Sequence, residues 1–228
     1  MIQTTGLVVG LVGAVAEYSN RTRLKVKRIL CNSGLRVVGL PIQHICILVY
    51  NPIITEHWHL GFKLLSRATD SIFVKSVLGF LILDLAAYWL HRLDHKVPWF
   101  WRIHQLHHSD RELDFTTHLR KNPLSAIYSV PYFYLVQFFF DVPLYGGIAY
   151  LVLIESIGFI AHARNERSVK FNRVLQTVGL ISPSYHRIHH STNAADWNSN
   201  FGMILNIWDR LFGTYRRQPI NGEIRFGI

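Results

Sequence analysis

Cysteine is nearly absent from this 228-residue chain: Cys31 and Cys46 are the two it has, each in or beside an apolar segment. They form no CxxC or related spacing, so neither a disulfide framework nor a zinc ribbon is encoded. Charge is sparse, at 17% of residues, and unbalanced, with 24 Lys and Arg against 14 Asp and Glu. The sequence has no GxGxxG fingerprint for a dinucleotide, no CxxCH for haem attachment and no HExxH for a zinc hydrolase, which removes three common readings. Repeats, low-complexity tracts and long linkers are missing too, so residues 1–228 read as one domain. What fills the chain is apolar: half the residues are hydrophobic and the mean hydropathy is +0.17. Apolar bulk with clustered cations points to a membrane protein and excludes nucleic acid as the partner.

Five apolar runs carry at most one charge each: residues 6–16, 37–55, 76–90, 123–140 and 142–162. The first is short, and Arg21, Arg23, Lys25, Lys27 and Arg28 follow it, the reverse of a cleavable signal peptide. Residues 37–55 approach the ~20 that a crossing helix needs, although Gly39, Pro41 and His44 argue against a straight helix. Asp141, Pro143, Gly146 and Gly147 read as the turn of a helical hairpin between the last two runs. Six Lys and Arg precede residue 37 from Arg21 on, six lie in 91–122 and nine in 163–228, whereas 56–75 has three. The positive-inside tendency then places 91–122 and 163–228 in the cytoplasm, at a bacterial inner membrane or the endoplasmic reticulum. The expected fold is an all-α polytopic bundle of about four to five spans or hairpin helices, with a cytoplasmic histidine-rich helical cap.

Histidine is the excess. Ten of the thirteen fall between His91 and His190, in blocks HRLDH (His91, His95), HQLHH (His104, His107, His108) and HRIHH (His186, His189, His190). Positions i, i+3 and i+4 of a helix lie on one side, so each block is expected to aim its imidazoles in one direction. At this histidine content one HxxHH arises by accident about 0.04 times per chain, and there are two. Interfacial histidines snorkelling beside Arg92, Arg102 and Arg187 are the bland alternative. Eight imidazoles gathered on one side of a membrane need partners or a metal. Neutral imidazole suits zinc, copper, iron and nickel, and eight exceed one tetrahedral zinc site, which points to two metals.

Beyond the histidines, the chain resembles the membrane fatty acid hydroxylase/sterol desaturase superfamily from about residue 83 to 216, with 1–75 matching poorly. The likeness rests on DLAAYWLHRLDH at 84–95, WFWRIHQLHHSDRELDFTT at 99–117, and YHRIHHSTNAADWNSNFGMILNIWDRLFGTYR at 185–216, whose SNFG and WDRLFGT signatures contain no metal ligand. The resemblance implies a di-metal centre, normally two irons, that uses O₂ to attack an unactivated lipid C–H bond. By motif, His91, His95, His104, His107, His108, His186, His189 and His190 would be ligands, and His162 in FIAHARN looks like the family's additional histidine. A purified or inactive form can carry zinc instead. Electrons would come from a separate ferredoxin or b-type cytochrome with its reductase. Hydroxylation and desaturation, and sterol, fatty acyl or alkylglycerol substrates, all stay open.

Certain positions depart from that pattern. Asn122 stands where a histidine is common and Ser125 where a glutamate is common, with His118 as a nearby substitute. Asp84, two turns before His91 in an apolar span, is expected to accept from a ligating histidine and fix its tautomer. Glu155 has the same spacing to His162. Asp94 and Asp209 read as surface or capping carboxylates, and Tyr88, Trp89, Trp99 and Trp101 as an interfacial belt. A membrane zinc hydrolase, a metal transporter and a family member without activity are the rival readings.

Overall fold

The computed structural model describes residues 23–57, 60–164, 169–220 and 222–228; the apolar run 6–16 lies outside the described residues. The chain runs through α1 (Arg23–Glu56), α2 (Leu64–Ala68), α3 (Ile72–Lys96), α4 (Pro98–His108), α5 (Ala126–Phe140), α6 (Leu144–His162), α7 (Val169–Thr177), α8 (Pro183–His189), α9 (Ala194–Trp197) and α10 (Ile207–Leu211). Among the described residues no strand forms, and a single antiparallel bridge joins Leu180 to Leu205. Among the described residues three helices are long and apolar enough to cross a membrane: α1 from Val26, α3 and α6. Their outer faces expose Val38, Leu48, Phe73, Leu144 and Leu151, apolar area that costs about 25 cal/mol per Å² in water and nothing against lipid. These helices make the chain an integral membrane protein.

Two segments differ from the sequence-based expectation. The cations of 23–36 belong to α1 rather than to a loop, because α1 continues for 34 residues, about 50 Å of helix and more than a bilayer spans. Its amino-terminal half is tied to the segment after α4. Arg28 pairs with Asp110 at 2.7 Å and with Asp114, and the buried Asn32 donates to Asp110 (3.0 Å) and to Thr116 (3.1 Å). The run 123–140 forms a 3₁₀ turn (Pro123–Ser125) and then α5 of 15 residues, about 22 Å long and short of a crossing. The α5–α6 turn is made by Asp141 at φ 48°, and its carboxylate accepts from the Leu65 amide at 3.2 Å, fixing α2. Gly146 and Gly147 lie inside α6. Gly146 serves close packing instead of the turn: a Cβ there would sit 2.7 Å from the Ser76 carbonyl oxygen of α3.

The core forms where α3 and α6 meet the last third of the chain. Leu83 and Ala87 of α3 and Tyr150, Ile157 and Ala161 of α6 pack with Ile181, Tyr185 and Ile204. Tyr88, expected in an interfacial belt, is fully buried there. Its hydroxyl bonds that of Thr214 at 2.9 Å and its ring stacks on Phe212 at 5.4 Å. Trp89 and Trp99 remain exposed.

Candidate metal centre

Four helix ends converge at one edge of this core. His91 and His95 close α3. Val97 ends that helix and begins the next, and Pro98 at the first position of α4 is preorganised for a sharp restart because its missing N–H would go unused there. α4 then carries His104, His107 and His108, α6 ends on His162, and α8 carries His186 and His189 with His190 as its cap. Ser182 opens α8 by accepting from the Tyr185 amide at 3.3 Å.

The nine histidines form two adjoining groups. His91, His95, His104, His108 and His189 make one, and His107, His162, His186 and His190 the other; within each group one nitrogen per ring lies within 4.8 Å of all the others. Here the structure corrects the expectation that an HxxHH block aims one way. Residues i and i+4 are 40° apart around a helix whereas i+3 and i+4 are 100° apart. His104 and His108 therefore share one group while His107 enters the other, and His186 and His190 share a group that His189 leaves. The boundary is thin, since the rings of His108 and His190 stack 4.4 Å apart.

Backbone carbonyls set the tautomers. His91 Nδ1 donates to the Phe201 carbonyl (2.9 Å), His189 Nδ1 to that of Ser199 (2.8 Å), His107 Nδ1 to that of Arg120 (3.2 Å) and His162 Nδ1 to that of Gly158 (2.7 Å). A carbonyl only accepts, so each of these Nδ1 atoms holds the proton and each neutral ring presents a lone pair at Nε2. The Nε2 atoms of His107 and His162 are 3.1 Å apart, and those of His186 and His190 stand 3.1 and 3.2 Å from His162. Facing lone pairs repel at that range. Four nitrogens placed about 2.0–2.1 Å around one ion in a tetrahedron would be about 3.3–3.4 Å apart, close to what is seen. In the five-histidine group both nitrogens of His95 and His108, and Nε2 of His104 and His189, are buried without a partner. Unpaired buried acceptors are costly, and a cation in each group satisfies them, so the residues present fit two metal ions.

Burial holds the imidazoles of α4 and α8 neutral, far below their ordinary pKa, and neighbouring imidazoles add to the effect. The sign has a consequence for the metal-free protein. In the unfolded chain these rings take up protons below about pH 6.5, while in the fold they stay neutral. Stability is thus full above 6.5 and falls as the pH drops, by up to about 1.4 kcal/mol per pH unit for each ring. Urea midpoints of metal-free protein are expected to fall steeply from pH 7 to 5.5; a flat metal-free profile would contradict this burial.

The acids are placed differently from the expectations. Asp84 touches no ligand candidate: its buried carboxylate accepts from the Ile204 and Leu205 amides (3.2 and 3.1 Å) and from the Trp208 indole (2.8 Å). It fastens the carboxyl-terminal segment to α3 and positions rather than fixes a tautomer. Asp84→Asn, which in either orientation offers an N–H where a backbone amide already points, should cost about 2 kcal/mol, read as a lowered Tm at unchanged metal stoichiometry. Asp94 is buried instead of exposed, 3.6 Å from His104 Nδ1, and is the carboxylate that does sit behind a candidate ligand. Asp209 is also fully buried. Glu155 faces His118 (3.3 Å) and Arg36 (3.8 Å), and His118, in neither histidine group, packs so tightly on Gly158 that a Cβ there would fall 2.2 Å from its ring. Asn122 caps the 3₁₀ turn by accepting from the Leu124 amide at 3.0 Å, and Ser125 donates to its carbonyl at 2.7 Å. Trp101 covers the five-histidine group, its ring 5.0 Å from His95 and 5.6 Å from His108.

A cavity of about 230 Å³ opens against both groups. Leu90, Ile103, Phe133, Ile154, Ile181 and Met203 supply its apolar wall. Such a chamber suits an alkyl chain held beside metal ions.

Comparisons with known proteins agree with this layout. The fatty acid hydroxylase family model matches residues 76–214. An alkylglycerol monooxygenase of Xenopus tropicalis is 31% identical over 159 residues, covering 66% of this chain and 32% of that protein. An ornithine lipid hydroxylase of Rhizobium tropici is 29% identical over 67% of the chain and 45% of its own length. A cholesterol 25-hydroxylase of Rattus norvegicus is 25% identical over 81% and 62%. The chain thus spans about a third of the alkylglycerol monooxygenase it matches. No solved structure matches it. Since the matched region runs from within α3 through α10 and holds every histidine of both groups, the chain belongs to the fatty acid hydroxylase family.

Proposed function

We propose that this chain is a membrane-bound oxygenase that hydroxylates or desaturates an unactivated C–H bond of a lipid. The observation that carries the reading is the pair of adjoining imidazole groups on one wall of an apolar cavity. His91, His95, His104, His108 and His189 would hold one iron, and His107, His162, His186 and His190 the other. Bound there, iron would supply the redox capacity for O₂ to take hydrogen from carbon, which d¹⁰ zinc lacks. The relatives are named as monooxygenase and hydroxylases of lipids, which supports the same chemistry here.

The chain's own part is to hold, orient and exclude. The Phe201, Ser199, Arg120 and Gly158 carbonyls keep four rings turned with Nε2 inward. Trp101 closes one flank against water, and the apolar wall aligns an alkyl segment with the histidines, an arrangement that removes orientational entropy from the reaction. The cation count favours a cytoplasmic location for the histidine side, where a ferredoxin or b-type cytochrome with its reductase would deliver electrons.

Lipid mass spectrometry of cells making the protein tests the reading. A product heavier by one oxygen, or lighter by two hydrogens, is expected with the native chain and absent with His107→Ala. Identical lipid profiles in the two strains under aeration would refute it.

A further inference from the structure

A second chamber of about 210 Å³ lies between α1, α5 and α6. Lys121, Asn122, Ser125 and Ser129 line both it and the histidine-lined cavity, so the two adjoin. The second differs in chemistry: Arg36 and Gln43 of α1 and Glu155 of α6 contribute to its wall. An alkyl chain has no use for these groups.

Charge decides what does. Arg36 lies 3.8 Å from Glu155, too long for a hydrogen-bonded pair, and the other Glu155 oxygen is taken by His118 at 3.3 Å. Arg36 and Lys121 thus bring two positive charges against the one negative charge of Glu155, leaving the chamber at net +1. Lys121 lines both chambers, so an anion held by it sits at the mouth of the histidine-lined cavity.

Resting on the oxygenase reading above, the geometry points to a headgroup site: Lys121 and Arg36 bind the carboxylate or phosphate of an anionic lipid, whose adjoining chain enters the histidine-lined cavity. Gln43 and Asn122 add neutral hydrogen-bonding groups to the same wall. The substrate class is therefore an anionic amphiphile rather than a neutral one.

Binding to the full-length, metal-free protein in a neutral detergent tests the site apart from turnover. Lysophosphatidic acid, the monoacylglycerol of the same chain and inorganic phosphate are titrated by calorimetry. The native protein is expected to bind lysophosphatidic acid about tenfold more tightly than the monoacylglycerol, as charge-assisted hydrogen bonds predict. Lys121→Met and Arg36→Met should each erase most of that preference at unchanged monoacylglycerol affinity, and Lys121→Arg should keep it, which also controls for folding. Equal affinities in the native protein, or a preference that survives both methionine substitutions together, would overturn the proposal. So would displacement of the lipid by millimolar inorganic phosphate, which would mark a free-anion site. The two readings fail separately. A retained anionic preference without O₂-dependent product in iron-loaded protein sinks the oxygenase and leaves the headgroup site. Product from neutral lipid without any preference does the reverse.

Discussion

Replacing His186 and His190 together by alanine is expected to remove one of two irons and leave the other. Both belong to the four-histidine group, so the double variant keeps only His107 and His162 there, while the five-histidine group loses nothing. Two imidazoles do not fill a coordination sphere that elsewhere takes three or four. Metal analysis of iron-reconstituted protein in nanodiscs should give two irons per native chain and one per variant chain. O₂-dependent turnover should drop on the order of a thousandfold, since ligands that act as a unit are lost together. His118→Ala is the contrasting case. His118 is in neither group, and that variant should retain both irons. A double variant that keeps two irons, or a folded one that loses both, would show that the groups are not separate sites.

That experiment turns on a feature the spacing pattern hides. HxxHH marks imidazoles on one side of a helix, and eight of the nine candidate histidines were legible as a set because their clustering far exceeds chance, while His162 was legible only through the family resemblance. Which histidine pairs with which was not, because the 100° between neighbours His107 and His108, or His189 and His190, matters only once two foci exist for them to face. The acids were read by sequence distance. Asp84 sits two turns before His91, yet an α-helix carries two turns about 11 Å along its axis, and the partners that reach Asp84 come from residues 204–208. Asp94 and Asp209 look like surface residues in sequence because each stands beside a basic residue, His95 or Arg210; burial by distant segments is what makes them internal. The apolar runs 76–90 and 142–162 became α3 and α6 almost as read. Residues 23–36 did not, since cations read as a loop remain compatible with helix when Asp110 and Asp114 wait opposite Arg28.

The SNFG and WDRLFGT stretches, which hold no ligand candidate, become intelligible through Asp209. Its carboxylate accepts from the Phe201 amide (2.8 Å), the Gly202 amide (2.7 Å), the Thr214 hydroxyl (2.6 Å) and the Tyr185 hydroxyl. Asn200, at φ 57°, locks the same turn by donating to the Tyr185 and Arg216 carbonyls, both at 2.9 Å. Burial pushes the Asp209 carboxyl up from its ordinary value while these donors pull it back. Asp209→Ala strands four donors in the interior, and the loss should reach about 3–5 kcal/mol, seen as a large fall in Tm. The effect on metal should be lopsided. Asp209 fixes the Phe201–Gly202 peptide, whose carbonyl orients His91 in the five-histidine group, whereas His107 and His162 take their carbonyls from Arg120 and Gly158. Competition titration with a chelator should therefore show one of two sites weakened about 10- to 100-fold, the range for losing a ligand's supporting hydrogen bond, with the other unchanged. Equal weakening of both sites in protein that is still folded would mean that Asp209 supports the fold alone and does not aim the histidines.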